Sequence, residues 1–248
     1  MPDLTWNKAY WDGDYDWRGR GEEWSQAWGS SEAQWFGSLY PRLHRFLPAE
    51  RVLEIAPGHG RWTHYLLQYT RADYLGIDLA AEGIDYCRAI FAARPLARFA
   101  VNDGLSLEQA EDGAFDLVFS FDSLVHAEME VHERYVPQIL AKLTPTGVAF
   151  IHHSNWAEVA GAEVNRHVRG ENVGARAFAA LVRQHGGAVL VQERIAWGMS
   201  ALCDALTLFC RAERAGAETT IERDNPRFML EAALIRDIHY AYCQVPAR

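Results

Sequence analysis

From Arg51 onward the chain alternates short apolar runs with stretches of helical period. Residues 51–56 (RVLEIA), 73–78 (DYLGID), 97–101 (ARFAV), 115–121 (FDLVFSF) and 147–153 (GVAFIHH) are brief apolar runs bounded by polar residues or glycine, the pattern of buried strands. Between them, residues 61–69, 81–94 and 130–143 carry apolar side chains at helical spacing. Strand–helix–strand repetition predicts a parallel sheet covered on both faces, with ligands at the carboxyl ends of its strands. Residues 175–186 predict a further helix, and residues 187–197 and 205–213 two strands joined too tightly for a helical crossover. The expected fold is therefore α/β and Rossmann-like: a mostly parallel seven-stranded sheet, helices on both faces, and a terminal antiparallel strand pair.

The two ends of the chain depart from this rhythm. Residues 1–45 hold six of the nine tryptophans (Trp6, Trp11, Trp17, Trp24, Trp28 and Trp35) among glycines and acidic residues. Such rings must be buried against something, as a cap over a ligand mouth or as an N-terminal helix and loop packed on the core. Residues 224–242 place Asp224 and Asn225 at a helix start and Pro226 in the first turn. The stripe Leu230, Leu234, Ile235, Ile238 and Tyr242 would then pack on the domain or form a homodimer contact. The expected division is an aromatic cap segment (1–45), a ligand-binding domain (46–215) and a C-terminal helical extension (216–248).

Composition narrows the partners. A formal charge of −9 with no run of Lys or Arg argues against a nucleic-acid backbone as ligand. No apolar stretch approaches a membrane span, and the N-terminus lacks the basic-then-apolar pattern of a secretion signal, so a cytoplasmic protein is expected. Cys87, Cys203, Cys210 and Cys243 show no metal or redox spacing and read as free thiols.

The chemistry concentrates where the first strand meets its helix. Gly58 and Gly60 allow a ligand to approach the backbone and the helix N-terminus. A dinucleotide loop would continue to a third glycine, whose place is taken by Thr63 beside Trp62, and no Gly-Lys-Ser/Thr follows as in a phosphate loop. Glu54 on the strand would repel a pyrophosphate and suits a ligand bearing an ammonium or sulfonium.

With these residues in view, LEIAPGHG (53–60) resembles the first motif of class I S-adenosylmethionine-dependent methyltransferases, with Ala56 in place of the first glycine. GID, ending at Asp78, resembles the second-strand motif whose acid binds the ribose hydroxyls in that family. Asn102, Asp103 and Gly104 resemble its adenine-side motif, and FDLVFSFDSLVH (115–126) its fourth-strand motif. The resemblance implies S-adenosylmethionine as cofactor, held by Glu54, Ala56, Gly58, Gly60, Trp62, Thr63, Asp78, Leu79, Asn102, Asp103, Gly104 and Phe121. Residues 22–48, EIAPGHGRWT and FIHHSN are further similar to a bacterial subgroup described as sugar or small-molecule O-methyltransferases.

Methyl transfer is an in-line displacement, and only removal of an acceptor proton demands a particular side chain. Asp122, His126 and His132 follow the fourth strand, while His152 and His153 end the fifth, where alternation lets at most one of them face a ligand. His126 and His153 are the expected bases, with Asp122 orienting a histidine or meeting the cofactor. No metal is expected, for want of a paired-carboxylate motif. Arg166, His167, Arg169 and Arg176 lie on the substrate side, facing an acidic acceptor or solvent. The sequence thus points to methylation of a hydroxyl on a small, sugar-like acceptor, with an N-methyltransferase or a noncatalytic cofactor-binding subunit as the alternatives.

Overall fold

The computed structural model describes residues 3–159, 164–165, 167–215, 219–239 and 241–245. The strands are β1 (Ala49–Ile55), β2 (Thr70–Asp78), β3 (Ala97–Val101), β4 (Phe115–Ser120), β5 (Leu143–Ser154), β6 (Gly187–Ile195), β7 (Asp204–Arg211) and β8 (Ile221–Asn225). They form one sheet in the order β3-β2-β1-β4-β5-β7-β6-β8. The first five run parallel, and β7 is antiparallel to both β5 and β6. The strand order reverses between β1 and β4, which opens a crevice at their carboxyl ends.

Alternation along the strands feeds two cores. Leu53, Ile55, Leu75, Ile77 and Val118 meet the helices Met129–Lys142 and Ala175–Gln184 on one face. Val52, Tyr74, Leu117, Phe119 and Phe150 face the other way. There Trp28, Trp35, Leu39 and Leu43 cover them with no exposed surface, and the Trp28 indole donates to Ser38 Oγ at 2.9 Å. The aromatic N-terminus therefore does two jobs: residues 28–43 build a core, while the rings before Trp28 lie over the carboxyl ends of the strands.

The sheet has eight strands where seven were expected. Residues 221–225, expected within a helical extension, pair in parallel with β6. Asn225 donates to Glu193 and Glu231, and Arg42 bridges the same two carboxylates, tying this strand and the chain after it to the body. The helix foreseen from Asp224 begins only at Phe228, in short turns through His239. Its apolar stripe is largely uncovered: Ile238 is 60% and Tyr242 86% exposed.

Candidate active site

The loop from β1 to the short helix Thr63–Leu66 is built on left-handed residues: Ala56, Gly58 and Gly60 have φ of 58°, 55° and 78°. A Cβ on Gly58 would stand 2.9 Å from the Trp17 ring and one on Gly60 2.7 Å from Phe91, so neither position admits a side chain. Asp78, at the end of β2, accepts the Gly58 N–H (2.9 Å) and the Ala80 N–H (3.0 Å). Burial pushes its carboxyl above the usual range against the pull of these donors. Asn102 accepts the Gly104 N–H at 3.1 Å and donates to the Tyr135 hydroxyl at 3.0 Å.

These elements wall a cleft at the crevice between β1 and β4. Of the expected cofactor residues, Ala56, Gly58, Asp78, Leu79 and Gly104 line it, joined by Leu124, Val131 and Tyr135. Its roof is Leu4, Asn7, Trp11, Trp17 and Trp24, the first of the two places the sequence offered the N-terminal rings. Trp62 and Phe121 line a smaller adjoining hollow. Asn102 supports the wall through Gly104 and Tyr135, and the exposed Asp103 instead caps the Leu105 and Ser106 amides. Gly60 serves the turn. Glu54 does not line the cleft: it is 1% exposed and accepts from Thr63 (2.7 Å) and from Tyr74. Burial raises its pKa to about 7 despite those donors.

The four histidines and Asp122 part company. His132 and His153 lie in the core beside Phe178, and both His153 nitrogens are engaged, Nδ1 with the Ser154 carbonyl and Nε2 with the Thr207 hydroxyl (2.8 Å each). Burial pushes the pKa of His132 down to about 4 and that of His153 to about 3, so both are neutral. His153 therefore cannot reach an acceptor as a base from this position. His126 does not line the cleft itself: its ring lies 5.2 Å from that of Trp11, which does, with Nδ1 2.9 Å from the Val168 carbonyl and Nε2 left as acceptor. Burial, then Arg169, push its pKa down to about 4.

Asp122 lines the cleft with φ 61°, a costly conformation for a side-chain-bearing residue. Its carboxylate is ion-paired with Arg61 at 2.6 Å, and its N–H donates to His152 Nδ1 at 3.1 Å. That bond leaves the proton on His152 Nε2, which lies 3.2 Å from Asp204. Asp204 is clamped by both arms of Arg169 (2.8 and 2.9 Å), and against the cost of burial Arg169 holds its carboxyl well below the usual range. Asp204, on β7, had no signal in the sequence. Arg169 is thus spent on Asp204, Arg176 is exposed beside Glu158, and Arg166 lies outside the described residues. Among the described residues no group of three His, Cys, Asp or Glu is placed to hold a metal ion, and no helix is long and apolar enough to cross a membrane.

Residues 52–147 match a family model described as a methyltransferase domain. No curated protein matches the chain. Among solved structures, the CcbJ methyltransferase from Streptomyces caelestis superposes with a TM-score of 0.59 at 13% identity, covering 83% of this chain and 99% of that one. The DhpI–S-adenosylhomocysteine complex gives 0.55 at 18% identity, covering 85% and 95%. A Burkholderia thailandensis 1,6-didemethyltoxoflavin-N1-methyltransferase, bound to its substrate and S-adenosylhomocysteine, gives 0.55 at 18% identity, covering 77% and 84%. Loop, crevice, strand order and these likenesses agree on the fold: it is the α/β, Rossmann-like methyltransferase fold, and the match to the methyltransferase-domain model spans residues 52–147.

Proposed function

We propose that the cleft binds S-adenosylmethionine and that the protein transfers its methyl group to a small molecule held beneath the N-terminal rings. One observation carries this reading. The charged residues lining the cleft are Asp78 and Asp122, with no Lys or Arg among them. Asp122 is paired with Arg61, which leaves Asp78 to set the charge of the wall, so a pyrophosphate would meet a carboxylate and no unpaired cation there, whereas a nucleoside sulfonium is not repelled. Asp78 would take the ribose hydroxyls, Leu79, Leu124 and Val131 the adenine, and Asp122 would face the cationic end. When bound, the cofactor supplies an electrophilic methyl carbon. This chain's residues then align an acceptor and exclude water. The structures similar to this one that hold S-adenosylhomocysteine support the assignment.

The sugar hydroxyl expected from the sequence would need a base, and His126, behind Trp11, is the candidate, with Nδ1 on the Val168 carbonyl, Nε2 as acceptor and a lowered basicity. A neutral amine needs none, and one similar structure is named as an N1-methyltransferase. The test is incubation with methyl-labelled S-adenosylmethionine and a pool of small metabolites, followed by mass spectrometry. Labelled product in step with S-adenosylhomocysteine is expected. Tight cofactor binding without any transfer would instead mark a noncatalytic binding subunit.

A further inference from the structure

The roof of the cleft carries information about the acceptor, on the footing of the methyl-transfer reading above. Trp11, Trp17 and Trp24 meet there with ring centroids 5.8 to 5.9 Å apart, Trp24 nearly perpendicular to the other two (84° and 80°). Tyr15 packs within 4.9 to 5.1 Å of all three, and its hydroxyl donates to the Glu23 carboxylate. The Trp11 indole N–H is taken by Asn7 Oδ1 (3.1 Å) and that of Trp17 by the Trp11 carbonyl (3.2 Å). With those positive edges occupied, what the lining rings have left to offer a ligand is π-surface, one side of Trp17 being already stacked on His59 at 4.2 Å. Arg61 already lies over Trp24 at 5.1 Å and over Trp62 at 4.5 Å, so indole faces in this region do hold a cation.

The charges point the same way. Asp122 lines the cleft beside this aromatic corner with its charge shared with Arg61, Arg169 is committed to Asp204 and Arg176 is exposed, so no unpaired guanidinium among these awaits an acidic acceptor. A corner of aromatic faces with a carboxylate is the environment in which ammonium groups are recognised. We infer that the acceptor is an amine. The acceptor reacts as the free amine, an ammonium having first given its proton to water: its nitrogen lone pair forms the new N–C bond as the methyl C–S bond breaks, and the electron pair of that bond stays on sulfur. Positive charge passes from the sulfonium to the nitrogen, where the rings and Asp122 stabilise it. A tertiary amine keeps the charge; a secondary one then loses a proton to water. No side chain is asked to generate an alkoxide, in keeping with the engaged nitrogens of His153 and the lowered pKa of His126.

The test uses the full chain saturated with S-adenosylhomocysteine, which lacks the sulfonium, and titrates choline against its uncharged isostere 3,3-dimethylbutan-1-ol. Choline should bind about tenfold tighter or more, the size of a desolvated cation–π contact. Trp11→Leu and Asp122→Asn should each erode that preference, and Trp24→Phe, which keeps a ring, should retain most of it. Equal binding of the pair, or tighter binding of the alcohol, overturns the amine while leaving the methyl-transfer reading intact. Failure of S-adenosylhomocysteine to bind overturns both. Rings that serve only the sulfonium would be exposed if these variants lost S-adenosylmethionine affinity relative to S-adenosylhomocysteine by the same factor, and that result also removes the inference.

Discussion

At the scale of single residues, the carboxylates near the site differ by what surrounds them. Asp78 sits among backbone donors at a strand end that faces the cleft, while Glu54 is closed in by Tyr74 and Thr63. Glu54 therefore keeps a proton in the folded state between its ordinary pKa of 4.5 and about 7, a proton the unfolded chain has lost. Its contribution to stability falls as pH rises through that window. His126, His132 and His153 act with the opposite sign: the unfolded imidazole gains a proton below 6.5 that the folded one refuses down to about 4 or lower, so stability is lost as pH falls. Subtracting wild-type from Glu54→Gln stability cancels the histidines. The difference is expected to grow in the variant's favour by ~1–3 kcal/mol from pH 5 to pH 8. Chemical denaturation at both pH values measures it, and a difference flat with pH would show that Glu54 is ionised when folded. The sequence made the loop glycines and Asp78 legible because their spacing is local. The surroundings of His152 were not, since Asp204 reaches it only through the pairing of β5 with β7, and Arg169 reaches Asp204 only through the fold of the loop after β5.

At the scale of elements, β5 shows what alternation decides. His152 and His153 are neighbours in sequence and lie on opposite faces, one against Phe121 and Trp197, the other against Phe178. Sequence reading foresaw that split but not which face met the site, because both faces of a parallel sheet are apolar. His153→Leu is expected to cost ~1–3 kcal/mol of stability by leaving the Thr207 hydroxyl and Ser154 carbonyl short of partners. Turnover per folded molecule should hold, and a selective loss of kcat at unchanged melting temperature would return His153 to the chemistry. β8 was illegible for another reason: it is a short edge strand, mostly exposed and charged, so no apolar run announced it.

At the scale of the whole molecule, the N-terminal segment belongs partly to the core and partly to the cleft. The fold class, the crevice and the strand pair were legible from Arg51 onward, where periodicity is strong. The division of the tryptophans was not, since a ring bound for a core and one bound for a cleft look alike in sequence. Removing residues 1–24 should leave a folded chain that binds S-adenosylhomocysteine but turns over little, because the roof is gone. Removing residues 1–36 also deletes Trp28 and Trp35, fully buried on the sheet face. Loss of buried aromatics costs ~3–5 kcal/mol each, comparable to the stability of a domain, so that chain should unfold. Circular dichroism separates the two, and equal folding of both would place those rings outside the core.

The central claim is that this cleft binds an adenosyl thioether through Asp78. Isothermal titration of S-adenosylhomocysteine into the wild type and Asp78→Ala tests it directly. Hydrogen bonds to a charged group contribute ~1.5–3 kcal/mol each, so the account predicts binding to the wild type and at least about a tenfold loss in the variant. Equal affinity in the two proteins, or binding of NAD in place of S-adenosylhomocysteine, would contradict it.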